Sequence, residues 1–260
     1  MTTTAVRTRR FTSDTLAGLD GPVRRYFSHA ISDGAALSDG VRMTMSGRIK
    51  IGLWLPFTAQ QTVDGRSFTW RARVGRGSMT PLRVIDRYAD GVGSTEGRLL
   101  GRVTLFHAED VNTARSAATR AAIESVVFAP PSVLPGRGVA WRAETEHDIV
   151  ARFDLPPEHP EVRVRIDDHG AIRTVSALRW GNAGEKTFQY IPFGGTYTPS
   201  AASATSYSPA APASAGGSRP RATRRSSVLR SAQSRQRSRR RSAHRRGRCR
   251  SSRRPGIVAA

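Results

Sequence analysis

Four titratable residues crowd one short stretch: Glu144, Glu146, His147 and Asp148. Carboxylates beside an imidazole are groups that bind a metal ion or shuttle protons. On adjacent strand positions, however, side chains alternate between faces, so the four cannot all converge. A solvated hairpin tip is the plainer reading of the cluster. His159 and His169 fall in a Pro-rich and a turn context and read as surface residues.

Asp86 and Tyr88 are two apart on a strand-like segment, so they share a face and can point into an interior seam. Asp90 and Gly91-Val92-Gly93 follow. This is no phosphate loop, because no helix opens after it and no Lys follows. Glu124 lies four residues after Arg120 in a helical stretch. The expected reading is an exposed ion pair, contributing about 0.3–0.5 kcal/mol. A buried Glu124 would instead need a partner and would mark a site. Asp86, Tyr88 and Glu124 are thus the candidate catalytic residues. The chain contains no nucleophile elbow, Walker loop, HExxH or dinucleotide fingerprint, and no cofactor or metal is expected. Whether it is an enzyme is left open. Trp54, Phe57, Trp70 and Trp141 read first as sheet-packing residues, as does Trp180. If the sheet curves enough to leave a cavity, the first four are the residues that would line it.

The elements that must position these groups follow from hydrophobic period. Pro22 suits the first turn of a helix. Val23, Tyr26, Phe27, Ala30 and Ile31 then repeat at helical spacing. Ser13-Asp14 offers helix-capping oxygens before Leu16 and Leu19. From Val41 the period becomes two. Val41–Ile51, Phe57–Val63, Ser67–Val74, Leu82–Tyr88 and Arg98–His107 read as strands, with Gly52–Pro56 as an interruption. Asp64-Gly65 and Asp90-Gly91 are hairpin turns. Asp110–Phe128 is a second helix, capped by Asn112 or Thr113 and closed by Ala129-Pro130-Pro131, with a small-residue face of Ala114, Ala117, Ala118, Ala121 and Ala122. Val139–Thr145, Asp148–Leu155, Val162–Ile166, Ala171–Trp180 and Thr187–Tyr190 are strands after it. Strands run consecutively and do not alternate with helices. The expected class is α+β, with a curved, mainly antiparallel meandering sheet on two or three helices.

Composition changes sharply at Pro199. Of the 42 basic side chains, 16 lie in residues 199–260, all Arg and without one acid. The first 198 residues keep 26 basic against 20 acidic groups, a net +6 that demands no polyanion partner. The expected division is a mobile arm over 1–12, an α+β domain over 13–198 and a disordered Ala/Ser/Pro/Arg-rich tail over 199–260. The single cysteine, Cys249, allows no intramolecular disulfide. No apolar run approaches the roughly 18 residues of a membrane span. The N-terminal residues lack the apolar segment of a secretory signal, so the expected compartment is the cytoplasm.

Two readings of the tail compete. Its Arg-Ser runs would bind nucleic-acid phosphates without sequence preference. Alternatively, the reading frame slips near Thr198. In the displaced frame the same bases can encode Glu-Arg-Arg-Phe-Gly-Asp-Val-Val-Leu-Pro, then Gly-Trp-Trp-Phe, then Arg-Tyr-Ala-Pro-Phe-Phe-Arg-Ala. That is aromatic, strand-like sequence, and it would complete a sheet that otherwise breaks off at Tyr197-Thr198. The frameshift reading is preferred here.

Several segments together carry a resemblance: GPVRRYFSHAISDG, the run Trp54–Gln60, FTWRAR, IDRYADGVGSTEGRLLG, RAAIESVVFAPPSVLP, RWG and FQYIPFGGTYT. They resemble an uncharacterised bacterial domain-of-unknown-function family over about residues 20–198. The resemblance implies no reaction. From Pro199 the chain departs from the family pattern. The function expected is therefore binding of a small apolar or amphipathic ligand in a seam between sheet and helices. Nucleic acid is a partner only if the tail is genuine, and a cofactor-free enzyme using the same seam is the further alternative.

Overall fold

The computed structural model describes residues 9–51, 53–76, 79–182 and 187–197. Residues 199–260, with the nucleic-acid and frameshift readings that fall on them, lie outside the described residues. A single 3-10 turn at Ser13–Leu16 precedes helix α1, Gly21–Ala30. Six strands follow: β1 Val41–Ile51, β2 Leu53–Val63, β3 Phe68–Arg76, β4 Met79–Ala89, β5 Val92–Leu99 and β6 Val103–Ala108. Helix α2, Val111–Phe128, leads through a 3-10 turn at Pro130–Val133 to β7 Val139–Ala143, β8 Asp148–Phe153, β9 Glu161–Ile166, β10 Ile172–Gly181 and β11 Gln189–Thr196. The class is α+β, and every strand pair is antiparallel.

The strands form two meanders and not one continuous sheet. β1 to β6 pair in chain order, and β7 to β11 pair in chain order. α2 lies between them and touches β2, β4 and β5 on one side and β10 on the other. From Ala117 to Val126 every α2 residue is buried. A helix covered all round needs small side chains to admit two sheets, which the alanines supply. Gly93 on β5 serves the same approach. A Cβ there would lie 2.6 Å from the Ala114 Cα. Phe27, Phe68 and Phe153 are among the largest fully buried side chains, each contributing about 1.5–3 kcal/mol by leaving water.

α1 covers the β7–β8 end of the second meander. Val23, Tyr26 and Phe27 are its buried face. The Tyr26 hydroxyl donates to the Val126 carbonyl of α2 at 2.7 Å, which ties the two helices together. Asp20, at the N-cap, accepts from the Ala143 N–H of β7 at 2.6 Å.

Several expected boundaries move. Gly52 lies outside the described residues, and Leu53–Pro56 does not interrupt the sheet, since β2 begins at Leu53 and pairs with β1 throughout. Pro56 is tolerated because the ladder to β3 starts only at Phe57. The expected strand Arg98–His107 is the end of β5, a turn and β6. The α2 cap is Asp110, whose carboxylate accepts from the Thr113 N–H at 2.7 Å, and not Asn112 or Thr113. Ser13-Asp14 opens one 3-10 turn and no longer helix. Within the expected N-terminal arm, Phe11 is buried in the core and Arg10 bridges Ala36.

Candidate functional site

Register builds one polar row on the inner face of the first meander. Gln61 on β2 faces Trp70 on β3, and Trp70 faces Asp86 on β4. The rows on either side are apolar: Val63, Phe68 and Tyr88 on one side, Ala59, Ala72 and Val84 on the other. α2 sets Arg120 and Glu124 against this row, each only 8% exposed. Arg120 donates from Nε to Glu124 at 2.8 Å and from Nη1 to Asp86. Gln61 donates its amide N–H to the second Glu124 oxygen. The Arg120 guanidinium stands 4.5 Å over the Phe68 ring and 5.5 Å from that of Trp70.

A second cation approaches from the other meander. Arg179 on β10 donates from Nε to the carbonyl and hydroxyl of Ser116 on α2, at 3.0 and 2.9 Å. Its guanidinium lies 4.6 Å over Phe193 of β11. Among the described residues, no carboxylate forms an ion pair with Arg179. Asp86, Glu124, Arg120 and Arg179 thus balance in formal charge, but both carboxylates are engaged by Arg120.

The electrostatics follow from burial. Desolvation raises the Glu124 pKa and the nearby Asp86 adds to it, while Arg120 opposes the rise. Burial alone would lower Arg120, but Glu124 and Asp86 outweigh it and raise its pKa. Arg179 is lowered to about 10, first by burial and then by repulsion from Arg120. Tyr197, just past β11, is raised to about 12, mainly by burial and secondarily by Glu124. The group can therefore hold a proton on a carboxylate or present a cation to an anion.

Apolar walls flank the cluster. Phe57 meets Trp70 edge-on with ring centroids 5.6 Å apart. Met45, Ile49, Leu55, Phe57 and Phe106 of the first meander are half-buried against the core, as are Phe193 and Tyr197 beyond β10.

Of the residues singled out from sequence, Asp86 and Glu124 meet through Arg120. The expected exposed Arg120–Glu124 pair is instead buried, because that face of α2 lies against Gln61, Phe68, Trp70 and Asp86 of the first meander. Tyr88 does not join them. Its hydroxyl donates to the Pro156 carbonyl at 2.6 Å, at the far end of β4. Trp70 and Phe57 adjoin the cluster. Trp54 is 54% exposed at the start of β2. Trp141 packs on Tyr26 and Phe27 beneath α1 and donates to the Val133 carbonyl, so the four aromatics do not line one cavity. A shallow groove of about 580 Å³ opens elsewhere, along β7 and β8 near Arg152 and His159.

The acidic stretch at the β7–β8 turn disperses. Glu144 pairs with Arg142 and Arg163, Glu146 with Arg25, His147 with Asp168, and Asp148 accepts from Thr145. His159 contacts Asp154 at 3.0 Å, on the surface. His169 sits in the turn closed by Asp167.

The sequence model of a family of unknown function, DUF6544, matches residues 9–204. The chain belongs to this family. The DUF6544 match spans every element described here, including all four charged residues of the cluster. Comparisons with curated proteins and with solved structures found no match.

Sequence reasoning missed Gln61, Arg179 and Ser116. A signal was present for two of them. Gln61 has the parity of Phe57, Ala59 and Val63, and Arg179 that of Val175 and Ala177. A polar side chain on an otherwise buried parity marks an interior polar contact. Ser116 carries no such mark.

Proposed function

We propose that the chain binds a small amphipathic molecule at the charged cluster, with no cofactor. Its apolar body lies along Phe57 and Trp70, and its anionic head meets Arg179. The observation that carries the reading is a half-buried guanidinium without a carboxylate partner among the described residues, beside a buried ion pair and the half-buried Phe57 and Phe193 rings. Buried ion pairs add little stability over apolar residues of the same shape. A cluster of this kind at the edge of an apolar seam therefore supports recognition of a ligand better than it supports a purely structural role.

The test is titration of the protein with a fluorescent fatty acid and with its methyl ester. The acid binds, the ester binds at least tenfold more weakly, and Arg179→Met removes that preference while melting within a few degrees of the wild type. Equal binding of acid and ester, or an unchanged preference in Arg179→Met, overturns the reading.

A further inference from the structure

The first meander carries an unusual end. Turns β1–β2, β3–β4 and β5–β6 all lie at the same end of the sheet, as the chain order of the strands requires. β2 begins four residues before its ladder to β3, while β3 runs on two residues past that ladder to Arg76, so the β1–β2 ribbon projects about 7 Å beyond β3. Leu53 and Trp54 are exposed at its tip. At the β5–β6 tip Leu100 is 72% exposed, and Val103 and Leu105 are exposed beside it. Leu100 also has φ +52°, a conformation in which a leucine is disfavoured and a glycine or asparagine is not. Two tips thus hold large apolar side chains in water, one of them on a backbone that selects against it.

Behind the tips lies a row of like charges. Arg73, Arg83 and Arg98 sit directly opposite one another on β3, β4 and β5, on the outer face and exposed. Like charges directly across a ladder repel. Among the described residues, Arg98 meets Glu96 at 2.6 Å, and the Arg83 guanidinium lies against Gly101 of the tip. Arg102 adds a further exposed cation in the same turn.

Apolar tips carrying a tryptophan, with a basic row set behind them, match the two layers of an anionic bilayer surface. Acyl chains accept the tips, and headgroup phosphates accept the arginines. We infer that this end of the β1–β6 meander docks peripherally on an anionic phospholipid membrane, with Trp54 and Leu100 inserted. An acidic protein or a nucleic acid would neutralise the arginines but would leave the projecting tips in water, and the strained, exposed Leu100 argues for the lipid. The inference does not depend on a ligand in the seam, since none of its residues belongs to the charged cluster.

The experiment uses the full chain with phosphatidylcholine vesicles, with and without phosphatidylglycerol. Residues 199–260 can hold an anionic vesicle by charge alone, so sedimentation is paired with quenching by brominated acyl chains, which reaches only an inserted indole. Quenching is expected with the anionic vesicles and is lost in Trp54→Phe. Leu100→Asp, at an exposed site that leaves the fold unchanged by circular dichroism, lowers vesicle partitioning about tenfold or more, as loss of one buried leucine requires. Arg83→Glu lowers it further at low salt than at high salt. Sedimentation without quenching, or wild-type partitioning by Leu100→Asp, overturns the inference and leaves attachment by charge alone. Failure to sediment with either vesicle overturns it as well.

Discussion

Arg120 and Glu124 stand one helical turn apart on α2 and share a 2.8 Å hydrogen bond between the two sheets, out of the water that both side chains ordinarily keep. Asp86 and Gln61 complete the contact, so neither charge is left without a partner. Removing one member is therefore far more harmful than removing the pair. Arg120→Met leaves Asp86 and Glu124 without the guanidinium that bridges them and costs about 3–5 kcal/mol. The triple variant Arg120→Met, Glu124→Leu, Asp86→Leu recovers most of that loss. Urea denaturation midpoints of the two variants against the wild type measure both effects, and equal destabilisation would contradict this account.

The pH response of Glu124 has a definite sign. Its folded-state pKa is raised above the ordinary 4.5, chiefly by burial. Between the unfolded and folded values the native state binds the extra proton, so stability falls as pH rises through that window. Glu124→Gln has no proton to lose and flattens this limb of the stability curve. Denaturation of the two proteins at a series of pH values from 4 upward, about the ordinary carboxylate range, reads the difference directly.

Tyr88 predicts a second limb at the alkaline end. Burial raises its hydroxyl to about 12, while its hydrogen bond to Pro156 is retained only by the neutral form. The stability this contributes is complete below the ordinary value of 10 and is lost as pH climbs from 10 to about 12. Tyr88→Phe costs about 1 kcal/mol at neutral pH and removes that part of the alkaline slope. An unchanged slope would assign it to other tyrosines.

Gly93 is where α2 lies closest to the first meander. A methyl group there meets the helix backbone at 2.6 Å, and no flexible side chain can yield. Gly93→Ala should cost about 1–3 kcal/mol by overpacking, although alanine is ordinarily harmless in a strand. Gly136→Ala has open space around its would-be Cβ but sits at φ +80°, so it separates the cost of conformation from that of contact. Thermal denaturation of both variants distinguishes the two.

Much of this architecture is written in local period. The two-residue alternation of Val41 to Ile51 and of Phe68 to Val74 locates strands, and the runs of small residues between Ala114 and Ala122 locate a closely packed helix. What no local pattern contains is the far side of that helix. Arg120 and Glu124 look solvent-facing because they are charged and four apart, and only the register of β2, β3 and β4, which sets Gln61, Trp70 and Asp86 in one row, supplies their cover. The helix cap shows the same limit: Asp110, Asn112 and Thr113 can all accept a hydrogen bond, and backbone geometry chooses Asp110. The interruption expected over Gly52–Pro56 is not found at Leu53–Pro56, where β2 pairs with β1 alone and Pro56 takes no place in the ladder to β3. Asp86 and Glu124 were found as residues but not as a pair, since their link runs through a cation on another element.

The position of α2 has a consequence for the order in which the protein is made. β1 to β6 are complete in the chain before α2, the helix that packs on β2, β4 and β5, has been synthesised. A growing chain that has reached Ala108 therefore presents Phe68, Trp70 and Val84 to the cell until residues 111–128 emerge. The helix is the last piece of the first half and the first piece of the second. Ribosome-stalled chains ending before and after it should differ sharply in chaperone capture, with the shorter chain held and the longer one released.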